Sequence, residues 1–205
     1  KSDVIKGVSL TGSTYAGARV AEIAGKNLKK VVLELGGSDP FIVLEDADIE
    51  FAAKNAVVGR TINSGQSCIS AKRFIVMVGA ADEFSRKFTE GISALVVDDP
   101  MDMKTDVGPL VNKDGLTQIE MQVHDAISKG AKVLTGGKRL ERKGYFYKPT
   151  VLSNIKTDMK VFAEEVFGPV APIIIVNNEE EAIKVANNTE FGLGASIWTS
   201  DGNRG

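Results

Sequence analysis

The chain has 205 residues, of which 43% are hydrophobic and 25% charged, and its formal net charge is −2. This composition is typical of a globular domain and excludes a disordered chain. The near balance of acidic and basic residues gives no electrostatic footprint for nucleic acid. No apolar run approaches the ~20 residues of a membrane-spanning helix, so we expect neither a nucleic-acid nor a membrane partner.

Cys68 and His124 are the only residues of their types in the chain. One cysteine cannot form an internal disulfide, and a single histidine beside it makes a structural zinc site unexpected, so we predict no metal. Nothing in the cysteine usage indicates an oxidising compartment, and we expect a cytoplasmic protein. The sequence begins at Lys1 without methionine and ends at Gly205 in mid-pattern, which suggests a fragment.

The N-terminal part of the chain alternates short β-branched runs with segments of helical periodicity. A strand at 8–10 precedes a helix that Gly25 ends, and two further strands follow at 31–35 and 41–44. Asp46 is placed to cap the next helix, over 47–63. Helical spacing places four residues of the first helix on one face: Ala16, Val20, Ile23 and Ala24.

The remainder continues the alternation. Asp82 is placed to cap a helix that ends near Leu95, and a Gly/Pro/Asp-rich loop covers 98–109. A second helix covers 116–129, with Ile119, Val123, Ala126 and Ile127 on one face. Further strands are predicted at 74–78, 132–134, 149–152, 172–176 and 195–199, and a further helix at 179–186. Alternating strands and helices predict an α/β fold with a largely parallel sheet.

Cys68 follows the small polar run 63–67, directly after a predicted helix. Small residues allow a ligand to approach the backbone closely. A cysteine in an electropositive, partly exposed setting is a nucleophile. The alternative is a buried apolar filler, because free cysteine is among the most buried residue types, and composition alone favours this alternative.

Glu34 interrupts the apolar strand 31–35 just before Gly36 and Gly37. A carboxylate buried on both faces of a sheet is costly. Glu34 is therefore ion-paired, exposed at the strand end, or retained for acid–base chemistry. Its position at the carboxyl end of a strand favours function, because sites of α/β proteins gather there.

Two other segments and the histidine each have a structural and a functional interpretation. The turn at 11–17 either forms an anion site from backbone N–H groups or simply caps a helix. The acidic pair Glu164 and Glu165, before a Gly-Pro turn, is typical of a solvated helix end. His124 lies on a predicted helix without an acidic or cysteine cluster, which indicates a surface or packing residue.

Taken in order, these segments resemble the aldehyde dehydrogenase superfamily across essentially the whole chain. The Glu34 and Cys68 motifs together are highly specific. The residues flanking both motifs look most like the bacterial and archaeal succinate-semialdehyde dehydrogenase branch. The matching segments are TGST (11–14), LELGG (33–37), NSGQSC (63–68), DVGPL (106–110), PTVL (149–152), EEVFGP (164–169) and FGLGAS (191–196).

The resemblance implies a catalytic domain over 36–205, truncated at its C-terminus, with a mostly parallel sheet flanked by helices. Residues 1–35 would be a partial Rossmann-like remnant of the dinucleotide-binding domain. The implied cofactor is NAD or NADP, the substrate an aldehyde, and the parent protein a homo-oligomer, dimer or tetramer. The implied roles are Cys68 as nucleophile, Glu34 as general base, Gly12 and Ser13 at the cofactor phosphate and ribose, Leu35 and Phe167 beside the nicotinamide, and Glu165 on its ribose.

Some features of the family pattern are missing. In the mammalian-type succinate-semialdehyde branch an arginine six positions before the cysteine binds the substrate carboxylate, and Ile62 stands there, with Arg60 nearby. The asparagine that completes the oxyanion hole has no counterpart, and most of the cofactor surface lies upstream in the family, so we expect the fragment alone to be inactive. Two alternatives remain: a cysteine hydrolase that uses Cys68 and His124, and a non-catalytic structural fragment.

Overall fold

The computed structural model describes residues 2–205, which form two compact units divided between Gly37 and Ser38. We call them the N-terminal unit and the C-terminal unit. The sequence places its domain boundary two residues earlier, between 35 and 36. None of the helices in the described part of the chain is long and apolar enough to cross a membrane.

The N-terminal unit is a strand–helix–strand motif. Strand β1 (Gly7–Thr11) runs parallel to β2 (Lys30–Glu34), and helix α1 (Thr14–Lys26) connects them. A parallel pair needs such a crossover, because its two strands cannot be joined by a tight turn. The side chain of Ser13 caps α1 by accepting a hydrogen bond from the Ala16 N–H at 3.2 Å.

The C-terminal unit is an α/β structure around one six-stranded sheet with the order β5-β6-β7-β4-β3-β8. Its strands pair in parallel except for β5 with β6, which is antiparallel. The mostly parallel α/β fold predicted from the sequence is thereby confirmed. Its elements are β3 (Asp39–Val43), α2 (Ile49–Thr61), β4 (Ala71–Met77), α3 (Val78–Ser93), α4 (Lys113–Ser128), β5 (Lys132–Thr135), β6 (Thr150–Ser153), α5 (Lys160–Ala163), β7 (Val170–Val176), α6 (Glu179–Asn187) and β8 (Ser196–Trp198).

Strand β4 shows how the core is divided. Phe74 and Val76 lie in one hydrophobic cluster, while Ile75 and Met77 lie in another. Successive side chains of a strand point to opposite faces, so β4 is covered on both faces, and from Phe74 to Met77 its sequence is continuously apolar rather than alternating. The start of the same strand carries Lys72 and Arg73, and both are fully buried.

Two sequence-based predictions about helices were wrong. Helix α2 is capped by Asp48, whose side chain accepts from the Phe51 N–H at 3.0 Å, and not by Asp46. Helix α3 begins at Val78, directly after β4, so Asp82 lies inside it and caps nothing. Ile23 and Ile127, which helical spacing places on the same faces as the buried Ala24 and Ala126, are 53% and 42% exposed.

Candidate active site

Cys68 lies in the connection between α2 and β4, and its side chain is partly buried. The connection begins with a 3₁₀ turn, Ile62–Gly65, that contains left-handed backbone at Asn63 (φ 51°), Ser64 (φ 57°) and Gly65 (φ 74°). Left-handed conformation costs about 1–2 kcal/mol for residues other than glycine. Such strain persists only where the surroundings hold it, and it clusters at functional sites.

A set of polar contacts holds this strained turn. The Asn63 side-chain amide donates to the Gln66 carbonyl at 2.9 Å, and the Gln66 N–H donates back to the Asn63 carbonyl at 3.1 Å. The Ser64 hydroxyl donates to the Gly108 carbonyl at 3.1 Å. The Gln66 side-chain oxygen accepts from the Val111 N–H at 2.8 Å. The turn before Cys68 is therefore fastened to the 108–111 loop.

Gly65 packs directly against the segment that follows Glu165. A Cβ atom on Gly65 would lie 2.4 Å from both the carbonyl carbon and the oxygen of Gly168. No side chain fits there without moving the backbone, and the left-handed φ of Gly65 favours glycine independently. The cysteine motif and the Glu-Val-Phe-Gly-Pro motif (165–169), far apart in sequence, are therefore in contact.

Arg60, at the end of α2, is completely buried and binds backbone carbonyls. Its guanidinium donates to Ala71 at 2.8 Å, to Gly65 at 2.6 Å and, more weakly, to Val166 at 3.5 Å. Burial lowers the pKa of Arg60 to about 9, against the opposing effect of the Glu165 carboxylate, so it stays protonated at neutral pH. All of its hydrogen bonds go to backbone carbonyls, and its Nε is buried without a hydrogen-bond partner. Because the whole side chain is closed off from solvent, Arg60 does not replace the substrate-binding arginine absent at Ile62.

Lys72, the second residue of β4, brings a buried ammonium group beneath the Cys68 loop. Its Nζ atom donates to the carbonyls of Ser67 at 2.9 Å and Cys68 at 2.8 Å. It also forms an ion pair with Glu165 Oε1 at 3.4 Å. Burial lowers the pKa of Lys72, and the Glu165 carboxylate partly offsets this effect.

Glu165 is thereby tied to the Cys68 loop rather than to solvent. Its side chain is 21% exposed and pairs with Lys72. Its backbone carbonyl accepts from the Gln122 side chain at 3.1 Å, and the same amide also donates to Glu164 at 3.1 Å. The solvated-helix-end interpretation is wrong for Glu165, because this carboxylate faces a buried cation. Phe167, two residues on, is 42% exposed.

The remaining predicted site residues belong to the N-terminal unit, where they lie together. Thr11 pairs with Glu34 in the β1–β2 register, and the Gly12 N–H donates to the Glu34 carbonyl at 3.0 Å. The Glu34 side chain is exposed at the strand end, as one of the three interpretations required. Leu35 is half-buried, and its side chain occupies the space that a Cβ on Gly17 would need, 2.5 Å away.

His124 is exposed on α4, in a shallow groove lined by residues such as Glu120, Arg139 and Tyr147. Cys68 does not line that groove. The described residues contain no group of three or more His, Cys, Asp or Glu side chains placed to hold a metal ion.

Sequence reasoning missed the roles of Lys72 and Gln122 and left the direction of Arg60 open. A signal for Lys72 was present: two cations, Lys72 and Arg73, open a strand that is otherwise apolar. Charges inside such a strand need partners. Arg73 finds its partners in the carbonyls of Ser38, Val185 and Ala186, at 2.8–2.9 Å.

The fold and the ordered motifs define a known class of protein. The sequence profile described as "Aldehyde dehydrogenase family" matches residues 1–205, and the chain belongs to this family.

Among curated proteins of this family, the chain is similar to succinate-semialdehyde dehydrogenases. The chain is 51% identical over 197 residues to succinate-semialdehyde dehydrogenase [NADP(+)] 1 of Mycobacterium tuberculosis (strain ATCC 25618 / H37Rv), and this match covers 96% of the chain and 43% of the relative. It is 52% identical to succinate-semialdehyde dehydrogenase [NADP(+)] of Mycobacterium avium (strain 104), with 96% of the chain and 42% of the relative covered. The chain thus spans less than half the length of these relatives.

Solved structures of dehydrogenases have the same fold as this chain. Lactaldehyde dehydrogenase from Escherichia coli has a TM-score of 0.94 at 43% identity, covering 97% of this chain and 42% of that one. An NADP-dependent enzyme of E. coli has a TM-score of 0.96 at 40% identity, covering 98% of this chain and 42% of that one.

Proposed function

We propose that the full-length polypeptide containing this chain oxidises an aldehyde to the carboxylic acid, with NAD or NADP as hydride acceptor and Cys68 as nucleophile. The observation that carries the proposal is the Cys68 loop. The loop is strained, Cys68 in it is partly exposed, and two buried cations, Arg60 and Lys72, hold it. A filler cysteine in an apolar core would need none of these features.

The chemistry follows from the residues. The Cys68 thiolate attacks the aldehyde carbon and forms a tetrahedral thiohemiacetal. The Cys68 backbone N–H is one donor for its oxyanion. Loss of hydride from this carbon leaves a thioester, and Glu34 takes a proton from the water that releases the acid. The exposure of Glu34 at the end of β2 supports this role, because a base must reach water.

The residues fit a dinucleotide. A Cβ on Gly12 would meet only Leu10 and Ala16 atoms at 3.9 Å, which is ordinary contact, so nothing among the described residues requires glycine there. A ligand approaching the backbone at the start of α1 would require it, because helix N-termini bind phosphate. The chemistry that NAD or NADP supplies when bound is hydride acceptance. Gly12 and Ser13 would hold its phosphate and ribose region.

Three further side chains would hold the nicotinamide end. Glu165, with its carboxylate fixed by Lys72, would bind the nicotinamide ribose, and the exposed ring of Phe167 would pack beside it. Leu35 would contact the ring. The N-terminal unit would be the end of the dinucleotide-binding domain, with the C-terminal unit as catalytic domain.

For the substrate we propose succinate semialdehyde or a related short aldehyde, on the strength of the two mycobacterial relatives, and NADP as the preferred acceptor for the same reason. Because the buried Arg60 guanidinium binds backbone carbonyls of the protein, recognition of a substrate carboxylate would need a different cation. Comparison of succinate semialdehyde with butyraldehyde, which lacks that carboxylate, measures this recognition directly. Equal kcat/KM for the two would rule out carboxylate recognition.

The test of the reaction uses the full-length protein and two variants. Cys68→Ala is expected to abolish NAD(P)-dependent aldehyde oxidation, while His124→Ala keeps it. Cys68 alone should carry a covalent acyl group, visible by mass spectrometry after reaction with p-nitrophenyl acetate. Oxidation that survives Cys68→Ala would overturn the proposal. Hydrolysis of p-nitrophenyl acetate without any aldehyde oxidation, and lost in His124→Ala, would favour a cysteine hydrolase.

We also propose a cytoplasmic location, because the cysteine usage gives no sign of an oxidising compartment, and a homo-oligomeric parent, because of the family resemblance. Cell fractionation with an antibody against the full-length protein tests the first. Light scattering of the purified protein tests the second, where a monomer would contradict it.

A further inference from the structure

Lys72 has no assigned role in the reaction, yet its ammonium group contacts the peptide units on both sides of the proposed nucleophile. An ammonium has three N–H donors, and here three acceptors surround it: the carbonyls of Ser67 and Cys68 and the Glu165 carboxylate. The side chain is fully buried, so water does not compete for these donors.

The contact with Ser67 determines where the Cys68 N–H points. The Ser67 carbonyl and the Cys68 N–H belong to one planar peptide unit, and in a trans unit they point in opposite directions. The described chain contains no cis peptide bond. When Lys72 holds the Ser67 oxygen at 2.9 Å, the Cys68 N–H is therefore directed away from the ammonium.

A second donor reaches the same carbonyl but is weaker. The Ser70 N–H approaches the Ser67 oxygen at 3.3 Å, as part of the turn that follows Cys68. A hydrogen bond from a charged donor is roughly twice as strong as one between neutral groups. Lys72 is therefore the main restraint on this peptide plane, and the Glu165 carboxylate keeps its ammonium in place.

We propose that Lys72 is a positioning residue that aims the Cys68 backbone N–H at the oxyanion of the thiohemiacetal. This inference rests on the proposed function, in which that N–H is an oxyanion donor. Lys72 touches neither substrate nor cofactor in this role. It acts through the Ser67 carbonyl, and it links the orientation of the Cys68 peptide to the carboxylate proposed to hold the nicotinamide ribose.

Two reactions of the Cys68 thiol distinguish this positioning role of Lys72 from a general effect on the thiolate or on the fold. Acylation by p-nitrophenyl acetate passes through an oxyanion, so it needs the aimed N–H. Alkylation by iodoacetamide is a displacement at a saturated carbon, and no oxyanion develops. A loss of thiolate or a loosened fold slows both reactions together, whereas a misdirected N–H slows only acylation.

The experiment compares Lys72→Met with the wild type in the full-length protein. The ratio of the acylation rate to the alkylation rate is expected to fall about tenfold, less than the 10²–10³-fold loss typical when an oxyanion donor is removed altogether. Lys87→Met, which removes a lysine paired with Glu50 instead, is the matched control and should leave the ratio unchanged. An unchanged ratio in Lys72→Met would overturn the proposal.

If circular dichroism and gel filtration show that Lys72→Met does not fold, Lys72→Gln takes its place. Glutamine keeps an N–H donor but is shorter and uncharged, so a smaller fall in the same ratio is expected, and no fall would again contradict the role. Neither rate requires NAD(P). The ratio therefore tests the role of Lys72 separately from the proposed function. Aldehyde oxidation retained in Cys68→Ala would contradict the proposed function instead.

Discussion

The two units place their candidate functional residues at opposite ends of their parallel strands. In the N-terminal unit, Gly12 follows β1 and Glu34 ends β2, so both lie at carboxyl ends. In the C-terminal unit, Cys68 precedes β4 and Glu165 precedes β7, so both lie at amino ends. The rule that α/β sites gather at the carboxyl ends of strands describes the first unit and not the second.

The carboxyl ends in the C-terminal unit are closed by structural contacts. Arg204 pairs with Glu45 and Asp46, which follow β3, and with Glu179, which follows β7. Asp46 also accepts from the Thr199 hydroxyl at 2.7 Å, just after β8. The strained, cation-supported loops lie at the opposite edge. Backbone strain and buried charge therefore indicate the candidate site in this unit better than the strand-end rule does.

The largest effect is expected at the carboxyl end of β2. Glu34→Gln in the full-length protein should lower steady-state aldehyde oxidation by about 10²–10⁴-fold, because a positioned base contributes that much and an amide cannot take the proton. The first turnover should survive, because Glu34 acts after hydride transfer. Stopped-flow absorbance of NAD(P)H would then show a burst of one equivalent per site followed by very slow turnover.

Glu22→Gln serves as the control within the same unit. Glu22 lies on α1 and pairs with Arg19 and Lys26 on the helix surface, so this variant should turn over like the wild type. If Glu34→Gln did so too, the carboxyl ends of the N-terminal unit would carry no catalytic base.

The second effect tests the amino-end site through Gly65. Gly65→Ala would drive a Cβ into the Gly168 backbone at a left-handed φ, which is expected to destabilise the C-terminal unit by about 2–4 kcal/mol. Urea unfolding of the full-length protein measures this loss. Gly59→Ala is the matched control: its Cβ would meet only the Ala71 Cβ at 3.6 Å inside α2, where alanine favours a helix by up to about 1 kcal/mol. Equal midpoints for the two variants would show that the loop is not strained.

The sequence predicted most of this architecture because its strands are nearly continuous apolar runs. The run around Phe74 reads as a strand without knowledge of its neighbours, and the Glu34 and Cys68 motifs have a recognisable order. The sequence could not decide which of two nearby side chains of the same type caps a helix. Asp46 and Asp48 are both good caps by type, and the choice depends on where α2 begins and on Thr199, whose approach is a tertiary contact.

The partners of Arg60 and Lys72 could not be predicted for a related reason. Arg60 donates to backbone carbonyls, and Lys72 donates to two of them besides its ion pair with Glu165. Because every residue carries a carbonyl, no residue type in the sequence marks these hydrogen bonds. One of these carbonyls, that of Val166, belongs to a different motif altogether. The sequence locates the candidate nucleophile, Cys68, but the contacts of the cations that support its loop become visible only when distant segments are brought together.

A smaller effect is expected at Gly17, in the N-terminal unit. A Cβ there would overlap the Leu35 side chain at 2.5 Å, and a flexible leucine can move, so Gly17→Ala should fold. The displaced Leu35 would disturb the proposed nicotinamide contact, and we expect KM for the dinucleotide to rise about three- to tenfold, a cost of roughly 0.7–1.4 kcal/mol. Gly25→Ala on the same helix meets nothing within 4 Å and should leave KM unchanged. A higher KM in both variants would point to the helix rather than to Leu35.

The smallest effect belongs to the closed carboxyl ends of the C-terminal unit. The Thr199 hydroxyl, followed by the backbone N–H of Asp46 itself, the Arg204 charge and the Ser200 N–H, holds the pKa of Asp46 below its ordinary value of 3.8. A carboxyl group with a lowered pKa stabilises the folded state above its ordinary pKa, and this contribution is lost as the pH falls through the folded value. Asp46→Ala should therefore lower Tm by a few degrees at pH 7, and the difference should shrink below about pH 4.

Kinetic constants distinguish the contacts around Asp46 from the candidate site around Cys68. Asp46→Ala should keep the wild-type kcat and KM at temperatures where it is folded, because its partners are structural contacts between the ends of β3 and β8. Asp82→Ala, at an exposed position inside α3, is the control and should alter neither Tm nor its pH dependence. Calorimetric scans between pH 3 and pH 7 make the measurement. A fall in kcat for Asp46→Ala, with Tm unchanged, would reverse the comparison by placing functional chemistry at the carboxyl ends of both units.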